Sequence, residues 1–344
     1  MWSQALTKIT VLTHRHAPDT GGIETFNAQL IEGLEQSGFR VQTFVRQKPQ
    51  TEIEDQLSKA KVSYPSFIQL LLQCMDSHLI ILSPFELRWA LIPLILSKKT
   101  ISIIHTWLPR VKSDFDFKNK VRLYLLQKTT RVTVSNALAN SLPGNIKVIH
   151  TGVKLVNSQK FEFFENQNPI LFVGRLVGDK GVSTLIDAIS ILRLSNPKLD
   201  LRTSIIGSGT ELKNLKELVE RKGLQDLISF LGTLNSTQVH EKMRGSKLLV
   251  VPSIWQEPFG LVAVEGLMNQ CRPILAKVGG LHETSLGLEL SFEPGNSIDL
   301  ANSIELGLGS YVDWLNSTDW PGVRQQLDFS NTLGEYLAIV KSLI

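Results

Sequence analysis

Short apolar runs separated by amphipathic stretches recur along the whole chain. Residues 9–12 read ITVL and lead into a polar loop, THRHAPDTGG, that ends on Gly21 and Gly22. From Ile23 the apolar positions Ile23, Phe26, Leu30, Ile31 and Leu34 keep a helical period, and Gly38 stops it. Residues 39–46 then alternate as a strand. Strand, glycine loop, helix, strand is the opening of an α/β unit. Apolar segments at 70–72, 79–82, 101–104 and 131–134 continue it, with a helix expected over 91–96 and a last strand over 146–151. Two strands end on polar groups, one on His105 and one on Ser135 and Asn136, the position where open α/β sheets place ligands.

Residues 155–169, LVNSQKFEFFENQNP, turn charged and amide-rich, as an interdomain linker does. The pattern then restarts. A strand over 170–173 precedes the glycine loop GRLVGDKG at 174–181, and a helix follows over 182–194. Strands over 201–206 and 228–231 and helices over 211–222 and 237–244 continue the alternation. The segment 248–274, LLVVPSIWQEPFGLVAVEGLMNQCRPI, reads as strand, Pro/Ser turn and helix, with Glu257 just before the helix and Glu265 two turns inside it. A strand at 274–276, Gly279-Gly280, a strand at 291–292 and a helix from Ile298 close the domain.

This doubled pattern predicts an α/β fold of two Rossmann-like domains whose parallel sheets face across a cleft. The expected boundaries are 1–155 for the first domain and 156–328 for the second. A final helix over 329–344 is expected to pack back toward the first domain.

Composition narrows the function. The 344 residues are 42% hydrophobic and 20% charged, which suits a globular chain of two domains. Cys74 and Cys271 both lie in apolar surroundings, which points to structural thiols in a reducing, cytoplasmic compartment. Seven scattered histidines and no C-x-x-C or H-E-x-x-H argue against a metal site. The N-terminus lacks the basic and apolar regions of a signal peptide. The most apolar stretch, 79–97, carries Pro84, Glu86, Arg88 and Pro93, so it reads as strand, turn and helix rather than a membrane span. Without G-x-G-x-x-G, a nicotinamide cofactor is disfavoured. The net charge of +4 is uneven: nine Lys or Arg stand against Asp114 and Asp116 between Lys98 and Arg131, with Trp107, Phe115 and Phe117 interleaved. That stretch is either an ordinary solvated helix face or a surface for an anionic membrane, glycan or lipid-linked acceptor. No recognition motif accompanies it, so nucleic acid is not an expected partner.

The candidate chemistry centres on phosphate and sugar hydroxyls. In GRLVGDKG the glycines allow close backbone approach, Arg175 can grip phosphoryl oxygens with two N–H groups, and Lys180 adds a compact charge. Gly21 and Gly22 offer either a similar approach for an anion or a plain turn. The helix N-terminus at Phe259, Gly260 and Leu261 presents free N–H groups and a positive dipole end. Glu265 can accept both hydroxyls of a ribose, and Glu257 can accept hydroxyls of a sugar. Together they suit a nucleoside-diphosphate sugar, with Arg175 and Lys180 stabilising the leaving group's charge as the glycosidic bond breaks.

These residues carry a resemblance. Glu-x7-Glu within PSIWQEPFGLVAVE, the GRLVGDKG loop, and the pieces VSNAL, HTGVK, IGSGTE and GGLHE resemble the retaining glycosyltransferases of family 4, which have the GT-B fold. The resemblance implies that Glu257 contacts the transferred sugar and Glu265 the ribose, and that Arg175 and Lys180 embrace the diphosphate. It further implies that Gly21-Gly22 lies near phosphate and sugar, and that His105 sits beside the sugar. It implies a UDP-, GDP- or ADP-sugar donor and no cofactor or metal in the chemical step. The implied reaction is a front-face transfer in which the leaving phosphate helps deprotonate the acceptor hydroxyl, with a cell-envelope glycan or lipid-linked acceptor on the inner face of a membrane.

Three positions depart from the family pattern: Thr151 and Lys154 replace Asn and Asp around Gly152-Val153, Thr106 follows His105 where Asp is usual, and Cys271 takes a glycine's place. The last substitution asks Cys271 to adopt a left-handed backbone. An epimerase or hydrolase on the same fold and a non-catalytic nucleotide-sugar-binding subunit remain the alternatives.

Overall fold

The structure is a computed structural model that describes residues 7–14, 21–45, 62–63, 66–108, 117–154 and 168–344. Most of the loop before Gly21, the basic positions Arg110 and Lys112 with Asp114, Phe115 and Asp116, and most of the expected linker lie outside the described residues. The chain forms two compact units, one of residues 1–151 with 329–344 and the other of residues 152–328.

The first unit is built on a seven-stranded parallel sheet of order β3-β2-β1-β4-β5-β6-β7. The strands are β1 (Lys8–Thr13), β2 (Arg40–Val45), β3 (Val62–Ser63), β4 (Leu79–Leu82), β5 (Thr100–Ile104), β6 (Thr130–Thr133) and β7 (Lys147–Val148). β4 and β5 are buried at every position, as a parallel sheet covered on both faces requires. On one face α1 (Gly22–Gln36) contributes Phe26, Leu30 and Leu34 to the core. The last helix of the chain, Phe329–Leu343, enters the same core with Phe329, Tyr336 and Val340. The Phe26 ring meets Tyr336 edge-on at 5.6 Å and Phe329 at 6.1 Å, and Thr332 Oγ1 donates to the His150 carbonyl at 2.9 Å. On the other face lie α2 (Phe67–Asp76), α3 (Leu87–Ile95) and α4 (Phe117–Gln127), with Leu70, Cys74, Trp89 and Leu126 buried beneath them. The apolar residues 70–72 belong to α2, whose start is fixed by a capping box between Ser66 and Gln69. Among the described residues no helix is long and apolar enough to cross a membrane.

The second unit carries a six-stranded parallel sheet of order β10-β9-β8-β11-β12-β13. Its strands are β8 (Ile170–Val173), β9 (Thr203–Ile206), β10 (Ile228–Gly232), β11 (Leu248–Val251), β12 (Arg272–Ala276) and β13 (Leu290–Phe292). β8 and β11 are neighbours in the middle of the sheet, so the loops leaving their carboxyl ends emerge side by side. Two short helices, Tyr311–Ser317 and Trp320–Leu327, escape the sequence reading because neither is long enough to show a helical period. They are held by Trp314 and Trp320, packed edge to face at 5.2 Å.

The turn before β12 corrects one expectation. The left-handed residue is Gln270, with φ 59°, and not Cys271. The preceding helix stops at Met268, so Gln270 takes the position just past its end, and Cys271 is left fully buried at the start of the strand.

Candidate functional site

Three loops converge on one residue, Glu257, in the second unit. The loop after β8 ends in a short turn, Gly178–Lys180, and the loop after β11 runs beside it. The Asp179 carbonyl accepts the backbone N–H groups of Ile254 at 3.0 Å and Trp255 at 3.3 Å, which joins the two loops. Their approach requires glycine at position 181: its φ is +64°, and an added Cβ would collide with the Pro252 carbonyl oxygen. The consequence is an ion pair between Lys180 Nζ and Glu257 Oε1, to which Ser253 Oγ also donates at 2.7 Å. From the third loop, Gly280 N–H donates to the Glu257 carbonyl and Gly279 N–H to Gln256 Oε1, both at 2.8 Å. Gly279, at φ +52°, lies so close to the Glu257 carbonyl that a side chain would not fit. Glu257 is 9% exposed, so its charge is held by partners rather than by water.

Glu265 stands in a different environment. It is the fifth residue of α9 (Leu261–Met268; α5 to α8 are Asn136–Asn140, Val182–Ser195, Leu212–Arg221 and Ser236–Arg244), a little over one turn in rather than two. The expected position ran long because the helix begins only at Leu261, after the left-handed Gly260. Among the described residues its carboxyl has no hydrogen bond or ion pair. It is partly buried, and burial pushes its pKa up to about 7. Phe259 is buried just ahead of it, and Gly260, the residue that starts the helix, supplies no side-chain cap. Arg175, two residues past β8 in the same glycine loop as Lys180, is exposed and has no ion pair or hydrogen bond among the described residues.

The first unit holds the remaining candidates. His105 directly follows β5 and is 9% exposed. Its Nε2 lies 2.9 Å from Ser83 Oγ, and its ring meets Phe26 edge-on at 4.9 Å. Burial pushes its pKa down to about 3, so the imidazole is neutral. Gly21 is the exposed, extended residue that begins α1, with Gly22 as the first helical residue, and no side chain caps that end. Among the described residues no group of three or more His, Cys, Asp or Glu could hold a metal.

The structure thus brings Lys180 and Glu257 into contact and sets Arg175, Phe259, Gly260, Leu261 and Glu265 on the same two loops and the helix that follows. His105, Gly21 and Gly22 lie in the other unit. Ser253, Asn27 and Ser83 are the polar partners that sequence reasoning missed. Ser253 stood visible in the turn PSIWQE, and Asn27 stood as a polar residue within the apolar stripe of α1.

Residues 153–310 match the family described as glycosyl transferases group 1. Those residues form a group 1 glycosyltransferase domain. A glycosyltransferase of Methanocaldococcus jannaschii is 32% identical over 173 residues, which cover 44% of this chain and 43% of that protein. The chain spans about half the length of the curated relatives that it matches first. A solved glycosyltransferase from Rickettsia africae aligns with TM-score 0.77 at 19% identity over 98% of both chains. Anabaena HepE, solved with UDP and glucose, aligns with TM-score 0.76 at 20% identity over 98% of this chain and 100% of its own. At such identities the likeness speaks to fold, and the fold is GT-B, with the group 1 domain forming its second sheet.

Glu265 in this domain gives a pH test. The folded protein holds its proton more tightly than the unfolded chain, whose ordinary value is 4.5. The group therefore withdraws stability as pH rises from 4.5 through about 7. Glu265→Gln stays uncharged, so its thermal midpoint relative to the parent should be higher at pH 8 than at pH 5. Equal differences at the two pH values would show that Glu265 does not titrate in this window.

Proposed function

We propose that the chain is a retaining glycosyltransferase that moves a hexose from a nucleoside-diphosphate sugar to a hydroxyl acceptor. The observation that carries this reading is that Arg175 and the Glu265 carboxyl, both without a partner among the described residues, belong to the same glycine loop and following helix as the Lys180–Glu257 ion pair. The arginine suits phosphoryl oxygens, and the carboxylate suits two ribose hydroxyls. A bound donor would give Lys180 phosphate oxygens and Glu257 sugar hydroxyls, so both groups exchange one partner for another. The group 1 domain is then the donor side and the first unit, with His105, the acceptor side.

In the reaction, the bond from the sugar's anomeric carbon to the diphosphate breaks, and the acceptor oxygen bonds to that carbon on the same face. The acceptor's proton passes to the leaving phosphate. Arg175 and Lys180 act where negative charge grows on the diphosphate, and such stabilisation lowers the barrier because it is stronger in the transition state than before it. Neutral His105 can receive a hydroxyl of the transferred sugar. The Anabaena neighbour was solved with UDP-glucose, so a UDP-hexose is the first donor to try, ahead of GDP- and ADP-sugars.

The test is a binding and slow-hydrolysis screen of purified protein against UDP-, GDP-, ADP- and TDP-sugars, followed by a search for hydroxyl acceptors with the donor that binds. Lys180→Ala and Arg175→Ala should each lower kcat by about a hundredfold to a thousandfold. Glu257→Ala should abolish use of the sugar. Failure of every nucleotide sugar to bind would overturn the transferase reading, and turnover to free sugar that no acceptor diverts would favour the hydrolase.

The acceptor side has a surface suited to an anionic membrane. Phe67, Ile68, Leu72 and Met75 of α2 and Leu91 and Ile95 of α3 are exposed, on helices that pack against each other. Arg88 and Lys99 are exposed beside them, and Lys128, just past the end of α4, lies over the Tyr124 ring at 5.2 Å. Apolar side chains entering the headgroup region and cations meeting anionic lipid act together in interfacial binding. The protein should sediment with vesicles containing anionic lipid far more than with neutral ones, less so at high salt, and Ile68→Ser with Leu72→Ser should weaken it. Equal sedimentation with both vesicle types would remove the membrane from the proposal.

A further inference from the structure

Behind His105 lies a buried chain of neutral polar groups whose hydrogen-bond directions can be counted. Thr13, Asn27 and Ser83 are all 0% exposed, and they sit at the carboxyl ends of β1 and β4 and on the inner face of α1. Asn27 Nδ2 donates to the Ser83 backbone carbonyl at 3.0 Å and to Thr13 Oγ1 at 2.9 Å. A carbonyl oxygen only accepts, so it fixes which end of the Asn27 amide is nitrogen. The other end, Oδ1, therefore faces Ser83 and accepts from its hydroxyl at 2.5 Å. A hydroxyl has a single proton. Ser83 has given its proton to Asn27, so at its 2.9 Å contact with His105 Nε2 it can only accept.

We infer that Asn27 and Ser83 are positioning residues that hold His105 in its Nε2–H form, so that Nδ1 is presented as a hydrogen-bond acceptor for a hydroxyl of the sugar. The ligand contact rests on the reading that His105 meets the donor's sugar; the tautomer does not. Among the described residues Nδ1 has no hydrogen-bond partner. A free imidazole could offer a donor or an acceptor at that atom, and the chain through Ser83 removes the choice. An acceptor at Nδ1 selects a ligand with a hydroxyl in reach and rejects one that has only an acceptor or a methylene there, because an acceptor that a ligand covers and leaves unpaired is costly. Phe26, edge-on to the ring, keeps the imidazole plane in the orientation that Ser83 requires.

The experiment is nitrogen NMR of protein labelled at histidine, with the His105 signals identified by their loss in His105→Gln. In the parent protein at pH 7, Nε2 should carry the proton and Nδ1 should show the shift of an unprotonated ring nitrogen. Asn27→Leu frees the Ser83 proton to be donated to His105, so its spectrum should move toward the opposite tautomer. Ser83→Ala should give a mixture, and Ser83→Thr, which restores a hydroxyl, should return the parent signature. Saturation with the nucleotide sugar that binds should shift the Nδ1 signal. A parent protein protonated on Nδ1, or variants that leave the tautomer unchanged, would overturn the positioning role, and this readout needs no donor. An unmoved Nδ1 signal at saturating donor would overturn the ligand contact. Nε2–H in a protein that binds no nucleotide sugar would overturn the transferase reading alone.

Discussion

A single backbone oxygen, the Asp179 carbonyl, organises the candidate site of the second unit. By accepting two amides from the neighbouring loop it makes the segments after β8 and β11 one surface. Each such bond is worth about 1 kcal/mol net, which is modest. Its importance lies in geometry: with the loops joined and Gly181 pressed against Pro252, Lys180 has Glu257 within reach. Removing either member would leave the other partly buried without its partner, a larger loss than the pair's own net attraction. The Gly279-Gly280 turn adds a third restraint, this time on the Glu257 backbone. The carboxylate is thereby fixed before any ligand arrives, as a site that spends little on reorganisation requires.

The groups around that fixed pair differ in how free they are. Among the described residues Arg175 and Glu265 have no hydrogen-bond or ion-pair partner, and they are the two whose proposed ligand atoms, phosphoryl oxygens and ribose hydroxyls, belong to the nucleotide rather than to the sugar. The first unit treats its histidine in the opposite way. His105 is anchored through Ser83 and Asn27, kept neutral by burial, and packed against Phe26, which itself touches the C-terminal helix. The last residues of the chain thus support the side chain that faces the sugar in the proposed reaction.

Alternation of apolar runs and amphipathic stretches was enough to reveal two parallel sheets, because buried β4 and β11 are apolar at every position and buried β5 at three of five. The helix at Phe67–Asp76 was hidden by reading its Leu70 to Leu72 in isolation, although Ser66 and Gln69 carried the capping signal. Glu257, Glu265, Arg175 and Lys180 could be named from spacing and glycine context. What spacing could not show was that Lys180 and Glu257 touch, since that contact is made across 77 residues by two backbone hydrogen bonds and a glycine. Nor could it show which residue bears the left-handed turn, Gln270 rather than Cys271, because helix ends shift by a residue without changing the pattern. Asn27 and Ser83 belong to different elements and meet only once β1, β4 and α1 are assembled.

The claim on which the account stands is that the glycine loop after β8 receives a diphosphate through Arg175. Calorimetric titration of UDP and UMP into the parent protein and Arg175→Ala measures it directly. The expected result is that UDP binds the parent at least about tenfold more tightly than UMP, a difference of about 1.4 kcal/mol. In Arg175→Ala that advantage should largely disappear while UMP affinity changes little. The same UDP-to-UMP ratio in both proteins would contradict the assignment of this loop to the diphosphate.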